Sequence, residues 1–262
     1  MPVITDPDLG GGHRMLLDGA GREVGRYEQT ESAGHAYADV FTRPPAVSAA
    51  DAAAVVLAEL RGLRIAGDEE LGRELVAAGG RPLRHVHLLS RDLGRDPPRA
   101  TVPPGLRLTP VDRPAADLLE AYRLAYAPGH LDHRDEPPEK SLQDLDGYVS
   151  GREFGPLLPG SGLAVAAGGT VAAALLLGTL PGDPPDNGPW VIELFRHPAH
   201  RGAGRALLER GLALATEAGV PVLGLMVTEG NPARRLYEQL GFERVRTLLV
   251  VELLGTAAAR QV

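Results

Sequence analysis

The chain has 262 residues, enough to bury the core of one large domain or two small ones. With 44% hydrophobic and 23% charged residues it has the makeup of a folded protein, so disorder throughout is excluded. The lack of any cysteine removes disulfides, thiolate nucleophiles and Cys-based metal sites, and a net charge of −7 lacks the basic face that a nucleic-acid partner needs.

The opening MPVITDPDLGG has neither the basic nor the apolar region of a signal peptide, so a cytoplasmic protein is expected. After a loose segment to about residue 11, HRMLLDGAGREVGRYEQ reads as a hairpin turning at Asp18-Gly19, and AYADVF as a strand. Ser48 is placed to cap a helix over Ala49 to Leu60. GLRIAG is a short strand, Asp68 caps a second helix that ends at Gly79-Gly80, and RPLRHVHLLSRDL is a further strand. Gly94 to Gly105, rich in Pro, Gly and Arg, reads as a linker, which sets a domain boundary near residue 100.

Beyond it, GLRLTPVD reads as a strand, Ala115 to Tyr126 as a helix and HLDHRDEPPEKS as a polar loop, with Ser141 capping a helix that runs toward Ser150. The most membrane-like run, Leu163 to Leu180, is cut by Gly168-Gly169 and reads as two apolar strands of a hairpin. The loop PGDPPDNGP, the strand WVIELF, a helix over Gly204 to Ala218, the strand VPVLGLMV, a helix over Pro232 to Leu240 and the strand ERVRTLLVVEL complete the order. Strands alternating with helices imply a layered α/β (α+β mixed sheet) fold.

The chemistry concentrates between Glu193 and Phe242. Arg201-Gly202-Ala203-Gly204-Arg205-Ala206 opens an amphipathic helix directly after a strand ending at His197-Pro198. Small residues at such a turn leave main-chain N–H groups bare, and the helix N-terminus adds partial positive charge, a cradle for a pyrophosphate. A tight turn before a buried helix is the plainer reading of that hexapeptide alone. One strand later comes N-P-A-R-R-L-Y-E-Q-L-G-F, with Asn231, Ala233, Leu236, Tyr237, Gly241 and Phe242. The succession R-x-x-G-x-A, strand, N-x-x-A-x-x-L-Y-x-x-x-G-F resembles the GNAT superfamily of N-acetyltransferases, most closely over residues 190 to 253 and less so from about 105.

That resemblance implies a GNAT-like acyltransferase fold that uses acetyl-CoA and no metal. Arg201, Gly202, Ala203, Gly204, Arg205 and Ala206 would hold the pyrophosphate through main-chain amides. The strand segment Glu193, Leu194, Phe195 and Arg196 would pair with the pantetheine arm. Asn231 would contact the cofactor, and Tyr237 would stand near the thioester sulfur as general acid. Glu193 is the candidate general base, set against its plainer reading as a salt-bridge residue. Arg196 replaces the small aliphatic residue usual in relatives, and would meet a phosphate or solvent. The acceptor would be an amine of a small molecule or peptide, with no nucleic acid and no membrane involved and a homodimer left open. The alternative class is a non-catalytic acyl-CoA-binding module.

Three further features are weighed. His130, Asp132, His133 and Asp135 lack a third ligand at a recognised spacing, so a solvated loop is expected over a metal site. His85 and His87 read as a structural pair. Aligning Tyr37–Pro44 with Val191–Pro198, and Leu63–Leu93 with Leu223–Leu253, suggests that residues 1–100 are a partial, degenerate copy of the fold in 101–262. The copy has Ala46-Val47-Ser48-Ala49 at the turn and Leu75 or Val76 opposite Tyr237, and so no acetyl-CoA is expected there.

Overall fold

The computed structural model describes residues 2–254 apart from 7, 9, 10, 33, 95–97, 181, 183, 185 and 186. Parts of the expected N-terminal segment, linker and PGDPPDNGP loop therefore lie outside the described residues. Two units share the chain: Met1–His87 with Arg246–Val262, and Leu88–Val245.

The first unit is built on β1 (Val3–Thr5), β2 (His13–Leu17), β3 (Glu23–Ser32), β4 (His35–Thr42), β5 (Arg64–Asp68) and the first part of β6 (Arg81–Asp92). β1 to β4 pair antiparallel in succession, and β4 pairs parallel with β5. The last strand of the chain, β12 (Glu243–Glu252), enters this unit at Arg246 and lies between β5 and β6, with Leu248 opposite Asp68. Helices α1 (Ala49–Glu59) and α2 (Glu69–Ala77) begin where expected, because Ser48 and Asp68 accept from the main-chain N–H groups of Asp51 and Leu71 at 3.1 and 3.0 Å. Leu16, Phe41, Val56, Ile65, Leu71, Leu75 and Val251 fill the core.

In the second unit the sheet runs β6 (from Leu88), β11 (Val222–Thr228), β10 (Gly188–Arg196), β9 (Val171–Leu180), β8 (Gly162–Ala166) and β7 (Leu106–Thr109). α3 (Ala115–Ala125) and α4 (Pro138–Ser150) precede β8, α5 (Ala203–Glu217) joins β10 to β11, and α6 (Ala233–Gln239) follows β11. Leu207, Leu208 and Leu212 of α5 pack with Leu175, Leu177 and Leu223 of the sheet, while Leu118 and Tyr122 of α3 pack with Leu163, Ala174 and Phe195. The apolar run is the β8–β9 hairpin, closed by Gly169 at φ 87° and an Ala166–Thr170 main-chain bond of 2.9 Å. Among the described residues, no helix is long and apolar enough to cross a membrane.

Two expectations shift. A cut at residue 100 would fall inside the second unit, because β6 runs on through Leu88 to neighbour β11 and β12 returns to the first unit. α4 begins at Pro138, three residues before the expected cap: Pro137 and Pro138 preset the first turn, and Ser141 is buried inside the helix, donating to Glu136 at 3.0 Å.

The join of β10 to β11 shapes the site. Their one registered pair among the described residues is Trp190 with Gly224. The indole lies so close over Gly224 that a Cβ there would stand 2.2 Å from the ring. The β10–β11 register stops at that pair, and Glu193–Arg196 pair with β9. A bulge at Ile192, between Val191 and Glu193, re-aims the residues that follow.

Candidate active site

At the end of β10 the chain turns through His197–Gly202 into α5. Gly202 takes φ 82° as the N-cap, a left-handed conformation that favours glycine. α5 starts with no side-chain cap and no acidic residue in its first turn. A Cβ built on Gly204 would meet only Leu194 Cδ1, at 3.9 Å. Ala203 N–H donates to the His200 carbonyl at 3.3 Å and Ala206 N–H to the Gly202 carbonyl at 3.0 Å, so the amides of Gly204 and Arg205 are the ones a pyrophosphate at this helix start would meet. Arg205 is tied to Glu209 and Gln239 at 2.8 Å each, and Arg196 donates to the carbonyls of His197 and Pro198. The side chains of both arginines serve the scaffold, and the anion-binding capacity lies in the main chain.

Glu193 is the hub of the unit's tyrosines. Tyr126, at the C-terminus of α3, donates to its carboxylate at 2.9 Å. Burial first, and the Glu193 charge second, lift the phenols of Tyr122 and Tyr237 above the ordinary range, and Tyr148 is pushed up to about 12 by the same two causes. Tyr126 is raised as well, chiefly by burial. Tyr122 stands edge-on to both Tyr126 and Phe195, with ring centroids 5.0 and 5.3 Å apart. Tyr237 is 7% exposed, and its hydroxyl makes no hydrogen bond with a described residue. Glu193 and Asp132 both add to the lift on its phenol, so it stands in the field of two carboxylates.

Residues 118–242 match the family model Acetyltransferase (GNAT) family. These residues form a GNAT acetyltransferase domain. Solved structures extend the likeness along the chain. A GCN5-related N-acetyltransferase from Sphaerobacter thermophilus aligns at 17% identity and TM-score 0.64, covering 93% of this chain and 81% of that one. A tandem GNAT protein from the clavulanic acid biosynthesis pathway aligns at 18% and 0.52, covering 91% and 81%. A GCN5-related N-acetyltransferase from Kribbella flavida aligns at 19% and 0.54, covering 95% and 90%. At these identities the likeness is one of fold. No curated protein matches the sequence.

Within the GNAT domain, Glu193 and Tyr237 come into one electrostatic neighbourhood, and Gly202–Ala206 open α5 beside Leu194. Asn231 is differently employed: its Oδ1 accepts from Ala233 N–H at 2.9 Å to start α6, and its Nδ2 donates to Asp132 at 3.0 Å. Asp132 also accepts from the Thr228 hydroxyl at 2.5 Å. The 127–137 loop, expected to be merely solvated, is thereby latched to the turn between β11 and α6. His130 Nδ1 accepts from Asp132 N–H at 3.0 Å, which assigns the proton of the neutral ring to Nε2. Tyr126 was not identified from the sequence, and Asp132 was weighed there only as part of a metal cluster. The one available signal was Tyr122-x-x-x-Tyr126, which puts two phenols on one face of α3.

Proposed function

We propose that the chain is an acetyl-CoA-dependent N-acetyltransferase acting on an amine by direct transfer within a ternary complex. Carrying this reading is the opening of β10 from β11 beside the uncapped start of α5, with Glu193 and Tyr237 in the same neighbourhood. Acetyl-CoA supplies the acetyl group as a thioester. The Gly202–Ala206 turn holds its pyrophosphate through the main-chain N–H groups that no carbonyl engages, and the edge at Leu194–Arg196 takes the pantetheine as an added strand. A main-chain N–H of that edge stabilises the charge that develops on the carbonyl oxygen.

Glu193, held by the Tyr126 hydroxyl, takes the proton that the attacking amine sheds. Tyr237 gives a proton to the departing sulfur. The two steps are linked electrostatically, because the Glu193 charge is one cause of the raised Tyr237 phenol. Once Glu193 is neutral that part of the lift disappears, and Tyr237 becomes a better acid when the sulfur needs its proton.

The test is calorimetry with acetyl-CoA, followed by free-thiol release over an amine panel. Binding with thiol release supports the enzyme, binding without release for any amine leaves a cofactor-binding module, and absence of binding sinks both.

A further inference from the structure

We propose that the acceptor is a small amine carrying its own carboxylate, with its ammonium end toward Glu193 and its anionic end at Arg134 and Arg123. The inference rests on the acetyltransfer reading and adds the chemical class of the acceptor.

A cavity of about 190 Å³ opens beside the tyrosines, lined among others by Tyr122, Tyr126, Asp132, Glu136, Arg123 and Arg134. Its size is below that of a drug-sized ligand site, which favours a small acceptor. Two of its carboxylates have close partners: Asp132 is held by Thr228 and Asn231, and Glu136 accepts from the Ser141 hydroxyl at 3.0 Å. Asp135, also in the lining, is exposed to water. The guanidinium groups are held more loosely. Arg123 makes contacts of 3.3 and 3.4 Å with the Glu136 carbonyl and the Ser141 hydroxyl. Arg134 comes no nearer than 3.9 Å to Asp144, which Lys140 already engages. A guanidinium meeting a carboxylate normally closes to about 2.7–2.9 Å, often through two parallel bonds.

The opposite pole lies deeper. Tyr126 lines the cavity and hands on to Glu193. Arg134 lowers the same Tyr122 and Tyr148 phenols that Glu193 raises, so one pair of rings feels both poles. An ammonium at the Glu193 end would also meet phenol faces, which attract cations. A plain alkylamine would bring neither guanidinium a closely paired carboxylate, and a diamine would set a second cation against them.

The experiment compares β-alanine and γ-aminobutyrate with their amides and with the matching diamines. Amine binding is read by calorimetry without acetyl-CoA, and kcat/KM by thiol release with it. The acids should exceed their amides by about tenfold or more, the scale of one charge-assisted hydrogen bond. Diamines should rank last. Arg134→Gln, and Arg123→Gln combined with it, should bring the acid-to-amide ratio toward one while thermal unfolding and acetyl-CoA affinity stay those of the wild type. Amides or diamines equal to the acids, or a ratio that survives the double substitution, would overturn the proposal. Absence of acetyl-CoA binding would sink the acetyltransfer reading instead, and the calorimetric acid-to-amide order would still decide the anionic end.

Discussion

The Tyr237 side chain is packed against Phe242, with ring centroids 6.0 Å apart, while its hydroxyl is engaged by no described residue. Tyr237→Phe therefore removes an acid without unpairing a neighbour. It should lower kcat by about 10²-fold, the usual worth of a general acid, with acetyl-CoA affinity and thermal stability nearly unchanged. Full activity would leave the residue a packing role. Because its phenol is raised above the ordinary value, it stays protonated where a free tyrosine ionises. The kcat of the wild type should accordingly hold level through about pH 10, and a fall centred there that Tyr237→Phe abolishes would contradict the assignment. Tyr237, Glu193 and the glycine turn were legible because each sits in a short contiguous pattern. Tyr126 and Asp132 were not, because Tyr126 bonds to Glu193 and Asp132 to Asn231 across long stretches of chain, and no local spacing encodes such contacts.

Among the elements, α5 and the β10–β11 join carry the most specific expectations. Gly204 has room for a methyl group and lies in a helix, so Gly204→Ala should stabilise the fold by up to about 1 kcal/mol. The same methyl stands where phosphates are expected, so acetyl-CoA affinity should fall, and Gly204→Glu should abolish it with the fold intact. Calorimetry beside thermal melts separates the two effects, and unchanged affinity in the Glu variant would end the phosphate-cradle reading. Gly224→Ala pushes a Cβ into the rigid Trp190 indole and should cost about 1–3 kcal/mol in denaturant unfolding, as overpacking does. Helix starts were readable where Ser48 or Asp68 supplies a cap. The start of α4 was misread because Ser141 has the chemistry of a cap but lies inside the helix and gives its hydroxyl to Glu136, ahead of the first turn.

On the scale of the whole molecule, the start of α5 differs in kind from those of the two helices of the first unit. α1 has Ser48 on a first-turn amide and Asp51 beside it, α2 has Asp68, Glu69 and Glu70, and α5 has neither cap nor acid. Acidic first turns repel phosphate. We propose that the first unit derives from a worn copy of the same fold, and a titration should give one acetyl-CoA per chain; two would refute it. A chain shortened to begin at residue 100 should lose its fold, because it lacks the part of β6 beside β11 and the β5 partner of Leu248–Glu252. A shortened chain that stays folded and fully active would show residues 1–99 to be dispensable. The path of β12 also bears on biosynthesis. The first unit cannot close its sheet as it leaves the ribosome, because the strand between β5 and β6 is made only after all of Leu88–Val245. At about 5–20 residues per second that leaves an open gap between two strand edges for on the order of ten seconds. During translation the unit made first is thus the one completed last, and a nascent chain stalled before Arg246 would expose those edges to chaperones or to neighbouring copies.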